Sequence, residues 1–140
     1  MKRFYIDTNI IIDFISLREP FGENAVYIFE LAAKSKIKIY ASTHEFATAH
    51  YILRKVYSEE KVREILESLF EYIEIVDVTE GVLKKAIRST HKDFEDAIQI
   101  FCAHQIKNLD GIITRNLKDF SSSEIPVFPP DEAINYIKNN

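Results

Sequence analysis

Four carboxylates in this chain stand where a parallel sheet would gather its functional groups. Asp7 follows the apolar run Phe4-Tyr5-Ile6, and Glu45 closes the tetrad Ser42-Thr43-His44-Glu45. Asp96 opens the apolar stretch DAIQIFCA, and Asp119 lies in IITRNLKDF. Two like unit charges 4 Å apart repel by about 4 kcal/mol at an effective dielectric near 20. A domain is stable by only ~5–15 kcal/mol, so carboxylates drawn together need caps, counter-charges or a cation. Oxygen donors without thiolates or a histidine cluster point to Mg2+ or Mn2+ over Zn2+. Such ions activate water and stabilise a phosphoryl transition state.

Each acid also has a plain structural account. Asp7 or Thr8 can cap a following helix. Ser42 and Glu45 form a capping box, with Glu45 reaching back to the Ser42 amide. Asp93 or Thr90 can cap the helix that contains Glu95 and Asp96, whose charges suit its dipole. Asn116 and Asp119 suit a turn. Arg115 and Lys118 flank the last of these positions, either gripping phosphate or lying on a solvated loop. The combination carries more information than any member, because all four acids fall at one expected edge of one sheet.

The elements that must position them alternate. Strands are expected near 3–6, 37–41, 72–77 and 110–114, with a short fifth in VFPP. Helices are expected from Asp7 or Thr8 to Ser16, over 23–35, from Ser42 to Val56 and from Ser58 to Phe70. Further helices run from Thr79 to Arg88, over 93–107, and from Pro130 onward. This order predicts an α/β protein, a mainly parallel sheet of about five strands covered on both faces. Ligands in such sheets gather beyond the carboxyl ends of the strands at a topological switch point. Asp7, Thr114, Asn116 and Asp119 occupy such positions.

Composition sets the bounds. The chain of 140 residues is read as one domain over 1–140, with 46% apolar and 29% charged residues. Three Gly and four Pro leave no room for long linkers. Cys102, the one cysteine, lies in an apolar run and fits a buried thiol in a reducing compartment. No apolar run approaches the ~20 residues of a membrane helix. The expectation is a cytoplasmic protein with no membrane partner. The net charge of −4 counts against a strongly basic nucleic-acid surface. Setting the four clustered acids aside leaves as many acidic as basic side chains.

With these residues in hand, the chain resembles the PIN-domain family over about residues 3–135, most closely its compact prokaryotic members, among them the VapC-type ribonuclease toxins. The opening Ile6-Asp7-Thr8-Asn9, Glu45 early in the helix after the second strand, Asp96 in DFEDAIQIFCA and the closing TRNLKDF carry the resemblance. It implies a three-layer α/β/α sandwich and Mg2+- or Mn2+-dependent hydrolysis of RNA. Asp7, Glu45 and Asp96 would bind metal, and Asp119 the same or a second ion. In-line attack by water would leave a 5′-phosphate. Thr8 or Thr114 would orient a ligand or phosphate, and Asn9 would hold an acid by hydrogen bonding. Many family members carry Asp where this chain has Asn116, which weighs against a second metal. Asp93 is an extra acid nearby, best placed as a helix start.

Three functions remain in view. The leading one is a metal-dependent endoribonuclease, the toxin of a toxin–antitoxin pair, with a small antitoxin as partner and a homodimer as assembly. The alternative is a catalytically weak or inactive PIN-like module that binds RNA or protein. A haloacid-dehalogenase-like phosphatase needs a second Asp where Asn9 stands, which argues against it.

Overall fold

The computed structural model describes all 140 residues. Five parallel strands form one sheet: β1 (Lys2–Ile6), β2 (Ile37–Ser42), β3 (Ile73–Val76), β4 (Gly111–Ile113) and β5 (Val127–Phe128), in the order β3-β2-β1-β4-β5. Seven helices connect and cover them: α1 (Thr8–Ser16), α2 (Gly22–Ala33), α3 (Thr43–Leu53), α4 (Glu59–Leu69), α5 (Glu80–Arg88), α6 (Phe94–His104) and α7 (Pro130–Asn139). The expected α/β/α architecture is the observed one.

The strands alternate their side chains between two cores. Phe4, Ile6, Ile39, Ala41 and Ile113 join a cluster with residues of α1, α2, α3, α4 and α7. Tyr5, Tyr40 and Ile112 point the other way, into a cluster with α5 and α6. That is the period of two that a pleated strand imposes. Both faces are covered, so the strands read as continuous apolar runs.

The chain leaves β1 toward β2 and β3 on one side, and later returns to add β4 and β5 on the other. The switch point therefore lies at the carboxyl ends of β1 and β4. The Asp7 amide extends the ladder there, donating to the Ile113 carbonyl at 3.0 Å.

Several boundaries differ from the sequence reading. The helix expected to reach Val56 stops at Leu53, and the one expected over 93–107 covers 94–104. The strand expected over 110–114 keeps only Gly111–Ile113, and a 3-10 turn over Leu117–Phe120 follows it. Just beyond β4, the Thr114 amide still donates to the Phe128 carbonyl at 3.0 Å, and its hydroxyl accepts from the Asn116 amide at 3.0 Å. No helix is long and apolar enough to cross a membrane.

Candidate functional site

Asp7 is the hub of the switch point. It is buried, adopts an extended backbone and caps α1. Its Oδ1 accepts from the Thr8 amide at 2.7 Å and from Gln99 Nε2 at 3.0 Å. Its Oδ2 accepts from the Thr114 hydroxyl at 2.7 Å and from Asn9 Nδ2 at 3.2 Å. A carboxylate has about four lone-pair sites, and four donors address them. Asn9 and Thr114 thus hold an acid, and Thr8 contributes its backbone rather than its hydroxyl.

Glu45 lies beneath the surface, 1% exposed. The capping box forms: Glu45 Oε1 accepts from the Ser42 amide and Ser42 Oγ accepts from the Glu45 amide, each at 3.2 Å. Its Oε2 is enclosed without a well-formed hydrogen bond, as is the Tyr5 hydroxyl. The two are nonetheless near enough that the hydroxyl eases ionisation of the acid. Burial is the stronger effect and, with the charge of Asp7, drives the Glu45 carboxyl well above the usual range. Burial and the Glu45 charge raise Tyr5 in turn. The capping reading of Glu45 is therefore realised, and its second oxygen is left over.

Asp96 stands in the first turn of α6, whose N-cap is Asp93. Asp93 Oδ1 accepts from the Asp96 amide at 3.0 Å, so Asp93 takes the helix-start role. Asp96 has no such partner. Burial, then the charges of Asp93, Asp119, Asp7 and Glu95, push its carboxyl up to about 7. Asp96 thus feels both its burial and the charges of four neighbouring acids. It is also the wall between two clefts. One, of about 240 Å3, is lined by Asp7, Thr8, Asn9, Asp96, Gln99 and Asn116 among others. The other, of about 320 Å3, has an entirely polar lining that includes Asp93, Asp96, Lys118 and Asp119.

Arg115 does not face either cleft. Its Nε donates to Asp13 Oδ2 at 2.6 Å and its Nη2 to Asp13 Oδ1 at 3.2 Å. Its guanidinium also lies 3.9 Å from the centre of the Phe21 ring. The phosphate-gripping reading of Arg115 gives way to a brace between α1 and the β4 loop. Lys118 remains at the second cleft.

Sequence reasoning missed Gln99, Asp13 and Arg18. Gln99 had a signal: it is a lone amide in an apolar helix, three residues beyond Asp96 and hence on its face. Asp13 had one too, as a charge inside an otherwise apolar helix. Neither signal names a partner.

The donor set suits a hard divalent cation. It is made of oxygen, the like charges around Asp96 ask for neutralisation, and Glu45 Oε2 is unsatisfied. No three acidic, histidine or cysteine side chains converge into a complete ligand set.

Fold and site together define a three-layer α/β protein with an acidic cleft at the switch point of a parallel sheet. Residues 3–118 match the family model described as PIN domain, and the chain belongs to the PIN-domain family. It is similar to Ribonuclease VapC1 of Aquifex aeolicus (strain VF5), 25% identical over 136 residues, covering 94% of this chain and 92% of that protein. Among solved structures it is similar to a toxin-antitoxin complex from Klebsiella pneumoniae, 27% identical with TM-score 0.62, over 90% of this chain and 96% of that one. The fold is shared with DNA-bound VapBC from Salmonella typhimurium, 18% identical with TM-score 0.68, over 93% and 99% of the two chains.

Proposed function

We propose that the chain is a metal-dependent endoribonuclease that hydrolyses RNA phosphodiester bonds and serves as the toxin of a toxin–antitoxin pair. The observation that carries this reading is Asp96, flanked by Asp7 and Asp119 at the switch point of a PIN-domain sheet. The names of the Aquifex and Klebsiella relatives support the activity and the pairing. The partners proposed are RNA, a small antitoxin protein and a second copy of this chain, in the cytoplasm.

Asp7, Glu45, Asp96 and Asp119 would hold Mg2+ or Mn2+, the cation's charge offsetting the burial that otherwise favours the neutral Glu45 carboxyl. A divalent cation there supplies the positive charge that a phosphodiester needs as it is attacked. The chain's own contribution is positioning. Asn9, Gln99, Thr114 and the Thr8 amide fix both oxygens of Asp7 in one orientation. The Asp13–Arg115 brace fixes the loop that carries Asn116 and Asp119. Lys118, at the second cleft, is placed to meet a neighbouring phosphate of the strand.

The test is cleavage of a mixed single-stranded RNA pool by purified protein in Mg2+, in Mn2+ and in EDTA, beside Asp96→Asn. Metal-dependent cuts made by the wild type and lost in Asp96→Asn support the reading. No cleavage in either ion, under conditions where a related enzyme cuts, removes it. One observation favours the alternative, a PIN-like module that binds RNA or protein without turnover: Asp7 already accepts four hydrogen bonds. That alternative predicts no thermal shift with either ion.

A further inference from the structure

The cleft that contains Asp7 and Asp96 has one cationic side chain in its lining, Arg18, against three acids, Asp7, Glu95 and Asp96. Arg18 follows the end of α1, where Leu17 takes a left-handed backbone. Its carbonyl accepts from the Phe21 and Gly22 amides at 2.8 and 2.6 Å, which pins its backbone in a tight turn. Gly22 makes that turn possible, since a Cβ there would lie 2.7 Å from the Leu17 carbonyl carbon. The side chain is a different matter. It is 52% exposed, and its one ion-pair partner within 4.0 Å is Asp13, at 4.0 Å from Nε. Both Asp13 oxygens already accept from Arg115. None of the five N–H donors of Arg18 forms a hydrogen bond. A planar, unengaged guanidinium at the mouth of an acidic cleft is matched to a tetrahedral anion that can accept from two of its N–H groups.

We infer that Arg18 grips a backbone phosphate of single-stranded RNA at the mouth of the Asp7–Asp96 cleft, an assignment that rests on the nuclease reading above. Arg115, the arginine beside the motif, is committed to Asp13. Arg18 is therefore the arginine that meets substrate, and the ion pair next to it keeps it free. It binds and orients the strand so that the neighbouring bond lies over Asp96.

The experiment is fluorescence anisotropy of a short fluorescein-labelled single-stranded RNA in Ca2+, with the RNA checked intact on a gel. Wild type, Arg18→Ala and Arg18→Lys are compared across a salt series, beside RNA cleavage in Mg2+ or Mn2+. Arg18→Ala is expected to weaken binding about tenfold. The slope of log affinity against log salt should fall by about 0.7, the contribution of one phosphate contact to a single strand. Arg18→Lys should keep the slope and lose part of the affinity, because it keeps the charge and loses the fork. Melting temperatures should agree among all three. Unchanged affinity and slope in Arg18→Ala, with wild-type cleavage intact, would overturn the assignment and leave the nuclease reading standing. A wild type that neither binds nor cleaves RNA removes both.

Discussion

Arg115 and Asp13 are 102 residues apart in sequence and meet in a two-pronged ion pair, with Asp13 only 1% exposed. A buried carboxylate left without its partner is destabilising by several kcal/mol, far more than loss of a surface pair. Arg115→Ala should therefore cost about 3 kcal/mol of unfolding free energy, read as a lowered urea midpoint. Arg115→Lys should recover less than half of that, because an ammonium cannot reproduce the fork. A midpoint unchanged in Arg115→Ala would show that Arg18 takes over the pair.

That brace also marks the limit of what the sequence discloses. Alternating strands and helices, the caps at Asp7, Ser42, Thr79 and Asp93, and the burial of α6 are local patterns, and each is realised. The segment after β4 also reads correctly as a strand-end connection, although Leu117–Phe120 close into a 3-10 turn the sequence reading does not anticipate. Which loop side chains face the cleft depends on partners far along the chain. Arg115 turns away because Asp13 waits one helix distant. Glu45 lies under the floor because its capping box and the Tyr5 side of β1 enclose it. Arg18 carries no motif, and only the folded turn brings it to the cleft.

Cys102 is fully buried on α6, and burial, then the charge of Glu45, pushes its thiol up to about 12. Alkylation needs the thiolate, which is scarce at such a value and has no route to solvent. Folded protein at pH 8 should resist iodoacetamide for hours and react within minutes in denaturant. Mass spectrometry after timed quenching reads this directly. Rapid stoichiometric labelling of the folded chain would place Cys102 at a surface instead.

The elevated proton affinity of Asp96 ties stability to pH when divalent ions are absent. An unfolded aspartate titrates near 4, whereas the folded one titrates at about 7. The folded state therefore holds the proton more tightly, so protonation favours folding. This contribution is fully present below about pH 4 and is lost as pH rises toward 7. Asp96 is partly exposed, so solvent screening reduces the size of the effect without changing its sign. In EDTA, the melting temperature of the wild type should fall relative to Asp96→Asn between pH 4 and about pH 7. Parallel curves for the two proteins would mean that neither burial nor the surrounding acids raise Asp96.

Asp7 and Asp96 should respond in opposite ways to the same substitution. If the acids simply repel, removing either charge without metal leaves stability unchanged or raises it. The hydrogen bonds alter that expectation for Asp7. In Asp7→Asn, an amide NH2 replaces an oxygen that accepts two of the four bonds, so donors face donors. Asp7→Asn should cost about 1–3 kcal/mol in EDTA. Asp96→Asn breaks no side-chain hydrogen bond and relieves repulsion, so its apo melting temperature should match or exceed the wild type. Adding Mg2+ or Mn2+ should then raise the wild type substantially and neither variant, because each variant lacks one of the charges proposed to hold the ion. A wild-type gain reproduced in Asp96→Asn would place the cation elsewhere, away from the wall between the two clefts.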